Sequence, residues 1–598
     1  MIRVPTRADK RIALLVFVVA LVALVWGGRT QGNTRDEGVY FDAAEIYWSW
    51  YGDLLENTLH GHPQRSFTTG ALSRGFEYNH EHPALMKSLF GLSWRLLHRC
   101  HCPEEAGRHP IGYAHKHTTL NLLDEEAAMR LPADILSALM AMLVYLLAAA
   151  AWSRAAGLVA ATLSLAAPRL FFDAQLACFD APIAAMWVAV VYAYWRALDE
   201  RKWGWRTGVL FGLALATKHN AFFLPAVLAP HWLFVAWQRR RLPPLRPWIY
   251  MGTLGVAVYV ACWPWLWFDT IRHFSGYVAF HVHHVYYNME YLGRNYNKPP
   301  FPLSFPYVME ALTLPLTTMV LGLVGSVALV ADWWHARGIA PSTSDVDTTA
   351  PVDTRATGLL VGINAIFPMA ILTVTRAPIF GATKHFHATI PFLALLAGYA
   401  VHAIATALGN RPRWLVPAFA TLVCLPAVAE TWRSHPYALT HYNIVAGGPA
   451  GGADLGMNRQ FWGYATRGIL PWINAHARPA APVYWHDTNQ IQLNMDVREG
   501  RLRPDIRNTG LEEPGVKASD IAMVIHEMHF RKYEYWIWDF YGTARPSLVL
   551  DDEGVPIVTV YERPKPSARA DVRDFRAPEA SAVSRLGAPS KGERAVQQ

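Results

Sequence analysis

The sequence predicts a mainly α-helical, polytopic membrane protein, and three observations predict it. The chain of 598 residues is 52% hydrophobic and only 17% charged, a balance that suits a bilayer better than water. Its 24 tryptophans and 25 tyrosines point the same way. Several windows hold roughly 17 to 25 mostly apolar residues, the length that crosses about 30 Å of hydrocarbon, and about eleven spans are expected in all.

The first window, Ile12 to Gly27, follows the basic stretch RVPTRADKR. No small-residue cleavage site comes after it, so it reads as a retained anchor and not a signal peptide. The others run Leu131 to Trp152, Ala155 to Phe172, Asp180 to Arg196, Thr207 to Thr217, Ala221 to Trp237, Trp248 to Phe268, Tyr307 to Trp333, Ala356 to Thr375, His387 to Leu408 and Trp414 to Ala429. Thr207 to Thr217 is short for a span. With all of them kept, the basic loops RVPTRADKR, Ser153-Arg154, RALDERKWGWR, QRRRLPPLR and NRPR fall on one side, which the positive-inside rule makes the cytoplasm. A multi-pass protein of the inner (plasma) membrane is expected, with its amino terminus inside and the chain after about Thr431 outside. The acidic loop Asp332 to Arg355 fits a disordered cytoplasmic connector.

A net charge of +8 invites a nucleic-acid reading. The basic residues sit in loops beside spans, however, where topology and anionic headgroups account for them, and no nucleic-acid partner is expected. Cys178, Cys262 and Cys424 lie in or beside spans and read as small core residues. Cys100 and Cys102, beside His98 and His101, can hold a metal or form a strained bridge; one close pair decides nothing.

The outer face carries the polar chemistry. At helical spacing after the first span, Tyr40, Ala44, Tyr47, Tyr51 and Leu54 share one face and Asp42, Glu45, Ser49, Asp53 and Glu56 the other, which predicts a helix lying in the membrane interface. Before it come Asp36 and Glu37, either a functional pair or carboxylates favoured by a helix start. The stretch Tyr78 to Lys87, YNHEHPALMK, packs His80, Glu81, His82 and Lys87 around Pro83. Pro83 suits the first position of an apolar helix whose free N–H groups, with Lys87 one turn on, would hold a phosphate. A solvated loop against the interface is the plainer alternative. Arg130, Arg169, Asp173, Asp180, Lys218, His219, Arg376, Lys384, His385 and His387 all fall at outer ends of spans. Ionisable groups there are costly and so tend to be paired and functional, and with the first loop they converge on one outward-facing cavity. A transporter would place such groups nearer the midplane.

Taken in order, DEG after the first span, HEHPALMK, RLPADILSAL, FDAQLACFDAP, TKHNAF and KHFHATIPFLALL resemble the GT-C membrane glycosyltransferases of the protein O-mannosyltransferase and aminoarabinose-transferase superfamily. The resemblance covers about Asp36 to Leu408. SHPYALTHYNIVAGGPAGGADLGMNRQFWGYA extends it to about Ala465. It implies a GT-C-type bundle and a polyprenyl-phosphate sugar donor. It also implies Asp36 as general base, Glu37 and Asp180 as further acidic positions, and Lys87 as a contact to the donor phosphate. His82, Arg130, Lys218, Lys384 and His385 complete the expected phosphate site, with His80 and Glu81 as further candidates. The loop departs from the family's Pro-Pro, reading Pro83-Ala84.

The chemistry asks for these residue types independently. Breaking the bond from anomeric carbon to phosphate oxygen needs positive charge at the leaving group, the acceptor hydroxyl needs a base, and displacement in one step inverts the anomeric centre. No cofactor is required where lysines neutralise the phosphate, although Asp36, Glu37 and nearby histidines can take a divalent ion. The expected partners are the lipid-linked donor, membrane lipids and a protein, lipid or glycan acceptor. A flippase or transporter, a non-catalytic binding protein, and an oligosaccharide transferase with a lipid-pyrophosphate donor are the competing readings.

The expected domains are a membrane part over 1–430, with its first outer loop at 28–130, and an extracytoplasmic α/β domain over 431–563. In that domain APVYWHDTNQIQLNM, SDIAMVIHEM and YEYWIWDFYG alternate apolar and polar residues, and PSLVLDDEGVPIVTVYER reads as two strands around an Asp-Glu-Gly turn. Residues 564–598 read as disordered.

Overall fold

The computed structural model describes residues 4–99, 120–335, 354–375, 379, 381–409, 412 and 414–564. Cys100, His101, Cys102, Arg376, most of the acidic connector and the tail beyond Pro564 therefore lie outside the described residues. Among the described residues, seven helices are long and apolar enough to cross a membrane: Arg7–Gly28, Glu125–Ala151, His219–Arg239, Leu316–His335, Arg355–Thr373, Ala382–Ala407 and Leu415–Ser434. Arg154–Leu165 and Pro168–Ala174, bent by 74°, make an eighth if counted as one span.

The remaining predicted spans are helical but fail the length or apolarity test. Asp180–Ala197 is buried along its whole length, so neighbouring helices rather than lipid set its composition. Its Trp187 donates to Asn364 Oδ1 at 2.7 Å and its Trp195 to Thr357 Oγ1 at 2.9 Å. Trp203–Thr217 has 15 residues, and a π turn at Met251–Gly255 interrupts the helix that continues as Val256–Ala261. Small residues let helices approach: a Cβ on Gly325 would overlap the carbonyl of Leu396.

After the first span a helix runs Arg35–Leu59 from a capping box. Thr34 Oγ1 accepts the Glu37 N–H, and the Glu37 carboxylate accepts the Thr34 N–H. Tyr40, Ala44 and Tyr47 are buried as their spacing predicts. The face they form packs on protein, the helix Leu85–Leu97, where the interface was expected. That approach requires Gly91, since a Cβ there would lie 2.5 Å from the Ala44 carbonyl oxygen. This second helix begins at Leu85, so Pro83 sits in the turn before it and not at its first position.

Asp269 to Pro306, expected as a third outer segment, folds a two-stranded hairpin, β1 (Met289–Tyr291) and β2 (Arg294–Tyr296). After the last span, β3 (Pro482–Trp485), β4 (Arg507–Asn508), β5 (Ile521–Ile525), β6 (Leu548–Asp552) and β7 (Val555–Glu562) form a sheet in the order β4-β3-β5-β7-β6. β3 runs parallel to β4 and β5, and β7 antiparallel to β5 and β6, with Glu553 and Gly554 in the β6–β7 turn. Two alternating stretches are not strands throughout. APVYWHDTNQIQLNM splits into β3 and the helix Gln490–Arg498, and YEYWIWDFYG lies within the helix Arg531–Tyr541. Ile537 and Tyr541, four apart, bury against Val524 and Tyr561 of the sheet, so the helical period wins over the alternation.

Candidate active site

Asp36 stands at the second position of the Arg35–Leu59 helix with its side chain 30% exposed. Trp462, from the chain after the last span, donates its indole N–H to Asp36 Oδ2 at 2.9 Å. Lys384 Nζ lies 3.6 Å from the same oxygen and 4.2 Å from the centre of the Trp462 ring. Two strained backbones hold these groups: Trp462 at φ +77° and Ala382 at φ +48°, the latter beside Gly381, where a Cβ would sit 2.6 Å from Lys384 Cε.

Behind this pair lies a second carboxylate with its own cation. Lys218 Nζ donates to Asp180 Oδ1 at 2.6 Å, both nearly buried, and Lys384 and His385 act electrostatically on the same aspartate. Asp173 meets His387 Nε2 at 2.5 Å. Four of the predicted residues, Asp36, Asp180, Lys218 and Lys384, are thus brought together, with His385 in electrostatic reach.

The polar stretch around Pro83 divides its labour differently from expectation. Lys87 is fully buried and donates to Asn79 O (2.5 Å), Asn79 Oδ1 (3.1 Å) and His82 O (2.9 Å). Those three bonds match its three donors, and Asn79, at φ +54°, turns the chain to receive them. Burial also pushes its ammonium well below the usual lysine range, with Glu81 only partly opposing. Lys87 therefore closes its own loop, and the expectation that it clamps phosphate is corrected. His80 stacks on Trp265 at 4.4 Å and pairs with the Glu77 carbonyl, and Glu81 accepts from Asn79 Nδ2 at 2.7 Å.

His82 is the residue turned inward. Its ring lies 5.1 Å from Phe179 and 6.4 Å from His281, and its Nδ1 has no hydrogen-bond partner. His281 stacks on His219 at 4.1 Å, and His219 Nδ1 and His281 Nε2 are likewise buried and unpartnered. Burial first, then Lys87 and Lys218, holds His82 well below the usual imidazole range, and burial brings His281 to about 4. Three imidazoles with unused nitrogens thus stand near Lys218, an arrangement suited to an anion.

Glu37 and Arg130 face each other instead of this corner. Arg130 Nε and Nη2 each donate to Glu37 at 2.8 Å, and its other contacts go to Gly28 O, Gln31 O, Gly32 O and Asn33 Oδ1. Glu37 also accepts from Thr34 N and Ala177 N. Both side chains are buried and saturated, where Glu37 was expected as a further acidic catalytic position and Arg130 as part of the phosphate site. It also separates Glu37 from Asp36, so the two do not form the carboxylate pair that a divalent ion would take there.

The soluble domain is bonded onto this corner. Arg35 N donates to Trp462 O at 2.8 Å, Gln492 Nε2 to Asn33 O at 2.6 Å and Asn489 Nδ2 to Arg35 O at 3.0 Å. Arg35 pairs with Asp487 at 2.6 Å, Arg498 with Glu125 at 2.8 Å, and Arg467 with Glu126 at 2.8 Å. Sequence reasoning missed Trp462, which lies 426 residues from Asp36 and carries no local signal. It also missed the capping role of Glu37, which the spacing Thr34-x-x-Glu37 does signal.

Residues 109–268 match the family described as dolichyl-phosphate-mannose-protein mannosyltransferase. A search of curated protein sequences found no match. Among solved structures, ArnT from Cupriavidus metallidurans bound to undecaprenyl phosphate is 15% identical, with 92% of this chain and 97% of that chain covered at a TM-score of 0.43. AglB, the oligosaccharyltransferase of Archaeoglobus fulgidus, in complex with an inhibitory peptide and a dolichol-phosphate, is 12% identical, with 90% and 72% covered at a TM-score of 0.42. The family match and the motif resemblance agree on one superfamily.

Proposed function

We propose that this chain, a GT-C-type membrane glycosyltransferase by its motifs and its family match, moves a single sugar from a polyprenyl-phosphate donor to an acceptor hydroxyl at the outer face of the membrane. The observation that carries this reading is Asp36. It is a partly exposed carboxylate, and the same corner holds Lys384, Lys218 and three imidazoles with unpartnered nitrogens. In the proposed step the acceptor oxygen attacks the anomeric carbon as Asp36 takes the hydroxyl proton. The bond from that carbon to the phosphate oxygen breaks, and the electron pair leaves with the polyprenyl phosphate. Lys218, His82, His219 and His281 meet the charge that develops there. A single displacement of this kind inverts the anomeric configuration. The amino terminus then lies in the cytoplasm and the sheet domain outside the inner membrane, and lysine charge together with hydrogen bonds from imidazole takes the place a metal would fill.

Sugar transfer by the purified protein in lipid tests this, with a panel of radiolabelled polyprenyl-phosphate monosaccharides and cell-envelope extract as acceptor. Label should move to an acceptor with the unmodified chain and stay on the lipid with Asp36→Asn, whose gel-filtration profile is unchanged. Consumption of no donor, or an equally active Asp36→Asn, would sink the assignment.

A further inference from the structure

Away from this corner, three ligand-type side chains meet where the third outer segment touches the sheet domain. Glu290 lies in β1, while Glu527 and His529 follow β5. His529 Nδ1 is 2.9 Å from Glu290 Oε1 and 3.7 Å from Glu527 Oε2. One ligand atom from each of the three lies within 4.8 Å of the other two. A tetrahedral ion with bonds of about 2.0–2.1 Å sets its ligand atoms roughly 3.3 Å apart, a spacing that the two imidazole distances bracket. The backbone N–H of His529 also donates to Glu290 Oε1 at 3.2 Å, an outer bond of the kind that fixes a ligating carboxylate.

Charge supplies an independent observation. The side chains of Glu290, Glu527 and Asp487 are 2%, 7% and 8% exposed, and Arg35 and the His529 ring are among the basic groups that reach them. Arg35 is committed to Asp487 Oδ1, and Asp487 Oδ2 is buried with no hydrogen-bond partner.

We propose that Glu290, Glu527 and His529 bind one divalent ion of the zinc class, which pins the β1–β2 hairpin to the sheet domain. One imidazole nitrogen and two carboxylate oxygens suit zinc, and a doubly charged ion satisfies the two nearly buried glutamates together. The clip lies next to Arg35 and so steadies the domain where it borders Asp36.

The test uses the full chain in detergent, stripped with a chelator, reloaded with zinc alone, dialysed, and assayed for zinc per chain and for thermal unfolding. Glu290→Gln with Glu527→Gln keeps the shape and hydrogen bonding of both side chains, and His529→Ala is the second variant. The unmodified chain is expected to hold about one equivalent of zinc more than either variant, to bind it at least about tenfold more tightly, and to unfold at a higher temperature with zinc than without. Equal zinc in all three proteins would overturn the proposal, as would no uptake by the stripped chain. A merely structural Glu-His-Glu ion pair would lower stability in the variants and leave zinc content unmoved.

Discussion

Asp36 and Glu37 are consecutive carboxylates on one helix turn, yet the regions around them are built on opposite terms. The Glu37–Arg130 pair itself is spent: a bidentate arginine, two backbone N–H groups and a run of carbonyls on Arg130 leave neither partner anything to offer a ligand. Around Asp36 the carboxylate holds one indole hydrogen bond and a lysine at 3.6 Å, and imidazoles with unused nitrogens stand close to the neighbouring Lys218–Asp180 pair. Saturation, more than residue type, separates scaffold from chemistry here.

The sharpest way to break this contrast is to neutralise each carboxylate in turn. Asp36→Asn should lower turnover by about 10²–10⁴-fold in a protein that still elutes and unfolds like the original. Arg130→Met should instead cost about 3–5 kcal/mol of stability, because it strands Glu37 as a buried unpaired charge, and should show as a lost folded yield in detergent. If Arg130→Met folds normally and fails only in transfer, Glu37 and Arg130 belong to the chemistry and the contrast fails.

The two basic residues first considered for phosphate sharpen it further. Lys218→Met should reduce transfer by about 10²-fold or more through the leaving-group charge. Lys87→Met should cost about 1–3 kcal/mol of stability by leaving the His82 carbonyl unpaired and weakening the hold on Asn79, with donor KM little changed in whatever folds. A donor-specific KM effect at Lys87 would restore the phosphate role that its geometry denies.

A smaller effect probes the domain seam. Gly38→Ala would put a Cβ 2.6 Å from Asn489 Nδ2, and should cost about 1–3 kcal/mol and speed proteolysis after the last span.

The smallest effect is a pH dependence in the sheet domain. Burial raises Asp552 from 3.8 to about 6, with Thr440 Oγ1 donating to it and partly opposing the shift. The folded chain therefore keeps a proton that the unfolded chain releases. The stability this gives is full below the unfolded value and lost as pH rises through about 6. Asp552→Asn should raise the melting temperature at pH 7.5 and leave it nearly unchanged at pH 4.

Much of the fold was legible because apolar runs long enough to span a bilayer have few other uses: each predicted span is helical, even where the helix proves too buried or too short to pass as a span. The β6–β7 hairpin was legible from its Asp-Glu-Gly turn. Residues 531–541 were not, because their alternation of aromatic and polar side chains coexists with an i, i+4 pair, and only the sheet beneath decides which is used. In the site, the polar residue types were readable and their directions were not. Whether Lys87 faces a ligand or its own loop depends on the left-handed Asn79, and whether Glu37 reacts or caps depends on an arginine 93 residues away.

The indole of Trp462 has one more consequence, for inheritance. The residue that touches Asp36 is encoded beyond the last membrane helix, on a backbone with φ +77° whose carbonyl also holds the start of the Asp36 helix. Recombination that exchanged the chain after the last span for a foreign one would therefore import a different neighbour for the aspartate, so this contact ties the two parts of the gene together.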